Sequence, residues 1–238
     1  IIGVDTENEW FITGEKSGSI KDSVSFTGVT NLTGGSKDDK FVIYDDGSIP
    51  GNIDGVSSSG NTLDYVICTE TKVVNLATSS FPGISGEVSN IQKIKGNATK
   101  GTLHGFSEAS TWDITGENEG KISKTGSTYN FSNFSNLTGG DHKDHFIFRY
   151  STDEGHRGRI LGCVDGNGGD SNMINCAEYY PTRLDIRESD GHVNTEEETP
   201  RIIVGSSKNI AEYYVPTYED IYYERWSMQS TMLELGMT

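Results

Sequence analysis

The side chains in this sequence whose type and spacing suit chemistry are carboxylates set in glycine-rich turns. Gly34-Gly35-Ser36-Lys37-Asp38-Asp39, Gly139-Gly140-Asp141-His142-Lys143-Asp144 and Gly166-Asn167-Gly168-Gly169-Asp170 each bring acidic side chains close to turn carbonyls. Hard oxygen donors of this kind hold calcium where consecutive G-G-x-G-x-D turns stack coil upon coil. The candidate ligands are Asp39, Asp144, Asp165 and Asp170, and Ca2+ is the one cofactor the sequence suggests. A plainer reading stands beside this one, namely turns with solvated carboxylates. No turn matches the nonapeptide fully, no two follow one another, and Lys37 and Lys143 intrude. On that reading metal is not needed for folding.

Other reactive groups are sparse. His142 and His145 have the H-x-x-H spacing of zinc ligands, but also suit an exposed loop. Three cysteines leave one unpaired in any intramolecular scheme. Cys163 and Cys176 flank a glycine-rich turn and are the expected disulfide in an oxidising compartment. Cys68 reads as a small buried hydrophobe. His156-Arg157-Gly158-Arg159 is the only compact basic cluster. No G-x-S-x-G, H-E-x-x-H, P-loop or helix-opening G-x-G-x-x-G occurs, so no catalytic residues are assigned and the expectation is a protein that is not an enzyme.

Charge narrows the partners. Nineteen basic residues against 35 acidic ones give a formal net charge of −16. Nucleic acid is excluded as a natural partner, because binding it needs a basic footprint. Anionic membrane surfaces are disfavoured for the same reason. No apolar run approaches the roughly 18 residues of a membrane-spanning helix. The opening Ile1-Ile2-Gly3-Val4 has neither an initiator Met nor a basic segment, and reads as a processed product or an excised fragment.

The elements that must position these groups come from an internal repeat. Trp10-Phe11-Ile12-Thr13-Gly14 returns as Trp112-Asp113-Ile114-Thr115-Gly116. Asn31-Leu32-Thr33-Gly34-Gly35, closing on Phe41, returns as Asn136-Leu137-Thr138-Gly139-Gly140, closing on Phe146. Ile53-Asp54-Gly55 returns as Val164-Asp165-Gly166, and Cys68 corresponds to Cys176. Because Asp54 and Asp165 correspond, they suggest turn structure rather than a unique acid–base pair. Asn31 and Asn136 likewise read as turn residues. The segments divide as 1–105, first repeat; 106–210, second repeat; and 211–238, a C-terminal cap or assembly segment. Ile and Val outnumber Leu by 34 to 9, among 29 Gly and 5 Pro. That composition favours short strands joined by tight turns, and helical periodicity is missing through residue 176.

Two all-β architectures fit: a parallel β-helix (β-solenoid), or two tandem β-sandwiches. The solenoid is favoured, because the copies abut without a linker and the apolar runs are shorter than the usual sandwich strand. Glycine falls and tyrosine rises after residue 177. Thr217 and Asp220 have capping-box spacing, and Tyr222, Trp226, Gln229 and Leu233 follow at helical intervals. One amphipathic helix is therefore expected over 217–235, within an aromatic-rich cap that covers the open solenoid end.

The order W-x-I-T-G-x-x-x-G, N-L-T-G-G-x-x-x-D-x-F and I-D-G, carried by Trp10–Gly18, Asn31–Phe41 and Ile53–Tyr65, resembles modules of large bacterial surface proteins. These are the filamentous-haemagglutinin-like adhesins, and the likeness covers roughly residues 8–176. The resemblance implies a parallel β-helix, a bacterial cell-surface or extracellular location, and a structural or adhesive role. Self-association, including end-to-end filament growth, is the expected partnership, with surface polysaccharide as a further partner. The assembly residues would be Ile1, Ile2, Tyr179, Tyr180, Tyr213, Tyr214, Tyr222 and Trp226. Two other functions fit the same fold: a polysaccharide lyase-like enzyme and a calcium-dependent carbohydrate-binding module.

Overall fold

The computed structural model describes residues 1–56, 59–150, 157–169, 171–176, 183–186, 201–210 and 212–214. The helix expected over 217–235 lies outside them, as do Asp170, Tyr179, Tyr180, Tyr222 and Trp226.

All regular structure among the described residues is β. The first repeat forms β1 (Asn8–Gly14), β2 (Ser17–Ile20), β3 (Ser25–Phe26), β4 (Leu32–Thr33), β5 (Asp39–Ile43), β6 (Ile53–Asp54), β7 (Thr62–Asp64), β8 (Val73–Asn75), β9 (Val88–Ser89), β10 (Lys93–Lys95) and β11 (Thr102–His104). The second forms β12 (Ser110–Gly116), β13 (Glu119–Lys124), β14 (Ser127–Ser132), β15 (Asn136–Thr138), β16 (Asp144–Phe148), β17 (Ile160–Asp165), β18 (Met173–Asn175), β19 (Arg183–Ile186), β20 (Arg201–Lys208) and β21 (Glu212–Tyr214).

The winding is that of a parallel β-helix, not of two sandwiches. Successive strands on one wall pair in parallel as β1–β5–β7–β10–β14 and as β12–β16–β18–β21. The two runs join through β13, which is antiparallel to both β12 and β14, so a single 12-stranded sheet crosses the repeat junction. The second wall carries two separate sheets, β4–β6–β9 and β8–β11–β15–β17–β20–β19. Each repeat opens on an antiparallel hairpin, β1–β2–β3 or β12–β13–β14.

Short apolar runs suffice because alternate residues of a strand point to opposite faces. One or two inward residues per strand fill the core. Parallel register stacks them into a column of Trp10, Phe41, Leu63, Ile94 and Phe131, and a second of Trp112, Phe146 and Ile174. All eight are buried. Val74, Leu103, Leu137 and Val164 form the matching column on the other wall. A fully buried side chain of this size contributes about 1.5–3 kcal/mol. No helix among the described residues is long and apolar enough to cross a membrane.

Candidate functional site

The repeated motif residues meet in one hydrogen-bonded strut per repeat. In the first repeat Asp39 starts β5 and is buried. Its Oδ1 accepts from Asn8 Nδ2 at 2.7 Å and from Trp10 Nε1 at 3.3 Å, and its Oδ2 accepts from the Gly35 amide at 2.7 Å. The Asp39 amide donates to Asn61 Oδ1 at 2.7 Å, and Asn61 Nδ2 donates to the Gly55 and Asn90 carbonyls at 2.6 and 2.9 Å. The second repeat keeps these bonds except that of Asn8, whose place Ser110 takes. Asp144 Oδ1 accepts from Trp112 Nε1 at 3.1 Å and Oδ2 from the Gly140 amide at 2.7 Å. The Asp144 amide donates to Asn172 Oδ1 at 2.9 Å, and Asn172 Nδ2 donates to the Gly166 and Asn209 carbonyls at 2.9 and 3.1 Å.

This strut explains the spacing of the motif. The Trp of W-x-I-T-G stacks on the Phe that closes G-G-x-x-x-D-x-F, at 5.6 Å for Trp10–Phe41 and 5.3 Å for Trp112–Phe146. Its indole N–H, which would otherwise be buried without a partner, is accepted by the Asp two residues before that Phe. Both glycines are required by crowding. A Cβ at Gly34 or Gly139 would collide with the Asp39 or Asp144 carboxylate, and one at Gly35 or Gly140 with the Val4 or Phe106 carbonyl oxygen. Burial pushes the Asp144 carboxyl above its ordinary range, against the Gly140 and Trp112 donors that favour the charged form.

Asp54 and Asp165 sit one coil on and correspond equally well. Asp54 Oδ1 accepts from the Val56 amide and from Asn90 Nδ2, each at 2.8 Å. Asp165 Oδ1 accepts from the Asn167 amide and Asn209 Nδ2, also at 2.8 Å. Burial raises the Asp54 carboxyl, but the Asn90 and Val56 donors outweigh it and hold it below its ordinary value. The two aspartates are turn residues of separate repeats, as their correspondence predicts. Asn31 and Asn136 also serve turns, though by bonding the next coil rather than their own. Asn31 Oδ1 accepts from the Asn52 amide at 2.8 Å, and Asn136 Oδ1 from the Cys163 amide at 3.0 Å.

Of the carboxylates named as calcium ligands, the three described ones are held by protein donors in their own turns. Asp39 and Asp144 lie inside the wall with their oxygens engaged by protein donors, and Asp165 faces the turn that Asn209 closes. Among the described residues no three His, Cys, Asp or Glu side chains converge as a metal would need. His142 Nδ1 lies 2.6 Å from the Ser107 carbonyl oxygen. Of the basic cluster, Arg157 lies over the Tyr150 ring at 5.3 Å and Arg159 pairs with Glu117.

The expected Cys163–Cys176 disulfide is absent, because all three cysteines are free thiols. Cys163 lies in β17 on the second wall, whereas Cys176 follows β18 on the first, so the turn between them separates the thiols instead of closing them together. Cys68 and Cys176 are both buried. Burial raises their thiol pKa values to about 11 and about 12, which leaves them protonated and unreactive.

Of the assembly residues, Ile1 and Ile2 are exposed at the start of the solenoid. Tyr213 and Tyr214 lie in β21, which pairs with β18. The sequence reading missed the four asparagines that complete the struts, Asn61, Asn90, Asn172 and Asn209. A signal existed in the shared Asn-Ile of Asn90-Ile91 and Asn209-Ile210, each just beyond a strand of the second wall. No family model, curated protein or solved structure matches this chain.

Proposed function

We propose that this chain is a structural, adhesive unit of a bacterial surface or filament protein, acting through its extended sides and ends and not through catalysis. One observation carries the reading: the 12-stranded sheet runs without a break from the first repeat into the second. Repeats that share a continuous sheet add length without needing a linker, the economy expected of a scaffold. The net charge of −16 suits a solvent-facing particle that resists collapse onto its neighbours. Extracellular placement, and surface polysaccharide as a partner, rest on the resemblance to adhesin modules. The test is antibody labelling of source cells before and after permeabilisation. Labelling of intact cells is expected; labelling that appears only after permeabilisation refutes the surface reading.

A further inference from the structure

The junction between the two repeats is a template for reading the outer edge of β3, where the 12-stranded sheet ends among the described residues. Inside the molecule β14 receives β10 in the register Lys93–Asn130, Ile94–Phe131 and Lys95–Ser132. The Asn130 amide donates to the Gln92 carbonyl at 2.9 Å, and the Gly96 amide to the Ser132 carbonyl at 2.9 Å. On the other wall Leu103 of β11 lies between Val74 of β8 and Leu137 of β15.

The first repeat carries the same acceptor surface. Phe26 pairs with Gly18 as Phe131 pairs with Gly120, so β3 corresponds to β14 and Ser25 to Asn130. The Ile20 amide donates to Val24 at 2.8 Å, which makes Ile20–Val24 a hydrogen-bonded pair. Ser19–Ser25 is therefore the alternate, non-bonded pair, and the Ser25 amide points to the outer edge, as that of Asn130 does. Ile2 bridges Thr33 as His104 pairs with Thr138, so Ile1 corresponds to Leu103 and Val4 to Phe106.

Burial separates the two surfaces. Leu103, Phe106 and Ile122 are buried at the internal junction. Their counterparts Ile1 and Val4 are 42% and 66% exposed, Ile20 is only half-buried, and Ile2 and Val24 add 76% and 49%. These five line an open groove of about 760 Å³. Among the described residues, no strand pairs with the outer edge of β3. The opposite edge of the same 12-stranded sheet is β21, which continues the β16–β18 ladder just as β10 continues β5–β7. The sheet therefore ends on counterparts of the two strands that meet in its middle.

We propose that the β3 edge and the Ile1–Ile2 groove receive the β21 end of a second copy of this chain, in the register of the internal junction. Glu212 then lies opposite Ser25, Tyr213 opposite Phe26 and Tyr214 opposite Thr27. The contact is head-to-tail, and such a contact repeated between copies propagates along the solenoid axis. This inference rests on the reading of the chain as a structural unit and names the partner of its end.

Sedimentation velocity of the full chain over a wide concentration range tests it. Wild type is expected to associate as concentration rises. Ser25→Pro removes an amide that points away from β2 and is tolerated on an edge strand, yet it blocks the incoming strand. Val24→Lys places charge in the groove without touching the ladder. Each is expected to weaken association roughly tenfold or more with an unchanged melt. If Ser25→Pro lowers the melt, Val24→Lys alone decides. Association of wild type that neither variant weakens overturns the β3 edge while leaving the structural reading intact. Wild type that stays monomeric throughout overturns the second copy as occupant, and the labelling of intact cells then judges the structural reading separately.

Discussion

Replacing Asp39 by Asn separates a hydrogen-bonded strut from a calcium site, because the two assign the same carboxylate opposite dependences. The Asp39 carboxylate accepts three bonds, from Asn8, Trp10 and Gly35. An Asn side chain is nearly isosteric, but one of its two ends becomes a donor. If the amide nitrogen faces Gly35, that N–H loses its acceptor and the new NH2 meets it head-on. Each buried donor left without a partner costs about 1–3 kcal/mol. With two donors affected, and part of the cost offset by removing a buried charge, the net loss is about 2–3 kcal/mol. For a chain of this length that lowers Tm by roughly 4–12 °C. The assay is thermal and urea unfolding of wild type and Asp39→Asn, each with chelator and with excess calcium. The expected result is a variant well below wild type and no dependence on metal in either. A variant within about 0.5 kcal/mol of wild type, the range of an ordinary surface substitution, refutes the strut. So does a wild-type melt that falls to the variant's level under chelator, which would return Asp39 to metal binding.

Three further outcomes follow from the same structure. Val56 holds φ at 60°, where its counterpart Asn167 has 55°; a β-branched residue there costs about 1–2 kcal/mol, so Val56→Asn should raise stability by about 1 kcal/mol in urea unfolding, and Asn167→Val should lower it. Thiol titration of unreduced protein should count three thiols in denaturant, with Cys163 reacting first in the native state because burial protects Cys68 and Cys176; a count of one would restore the Cys163–Cys176 disulfide. Lys21, and then Lys40, hold the Glu9 carboxyl below its ordinary 4.5. A depressed carboxylate contributes stability above its unfolded value and loses it as pH falls through the folded one, so the margin of wild type over Glu9→Gln, roughly 0.5 kcal/mol, should be present at neutral pH and vanish well below pH 4.5 as followed by Tm.

The solenoid was legible because its information is local. Trp10 with Trp112, and Phe41 with Phe146, mark positions that face inward in every copy, and short β-branched runs between glycines leave no other element to build. The carboxylates were legible as a pattern but not as a structure, since Asp39 looks the same in a sequence whether it meets calcium, water or an indole N–H. Only the parallel register, which brings Trp10 of one coil beside Phe41 of the next, decides between them. The asparagines that complete each strut left little trace for a related reason, the shared Asn-Ile at Asn90 and Asn209 aside. Asn61 and Asn90 act across coils separated by loops of unequal length, and the corresponding loops of the second repeat differ again. The same inequality bears on the change of composition after residue 177. Glycine gives way to tyrosine there, yet β20 and β21 still pair with β17 and β18, and Asn209 reaches Asp165 as Asn90 reaches Asp54. In a parallel ladder a strand's partner is fixed by its place in the stack. The length and composition of the chain between two coils can therefore change while the pairing does not, and a shift in composition marks no edge of the fold.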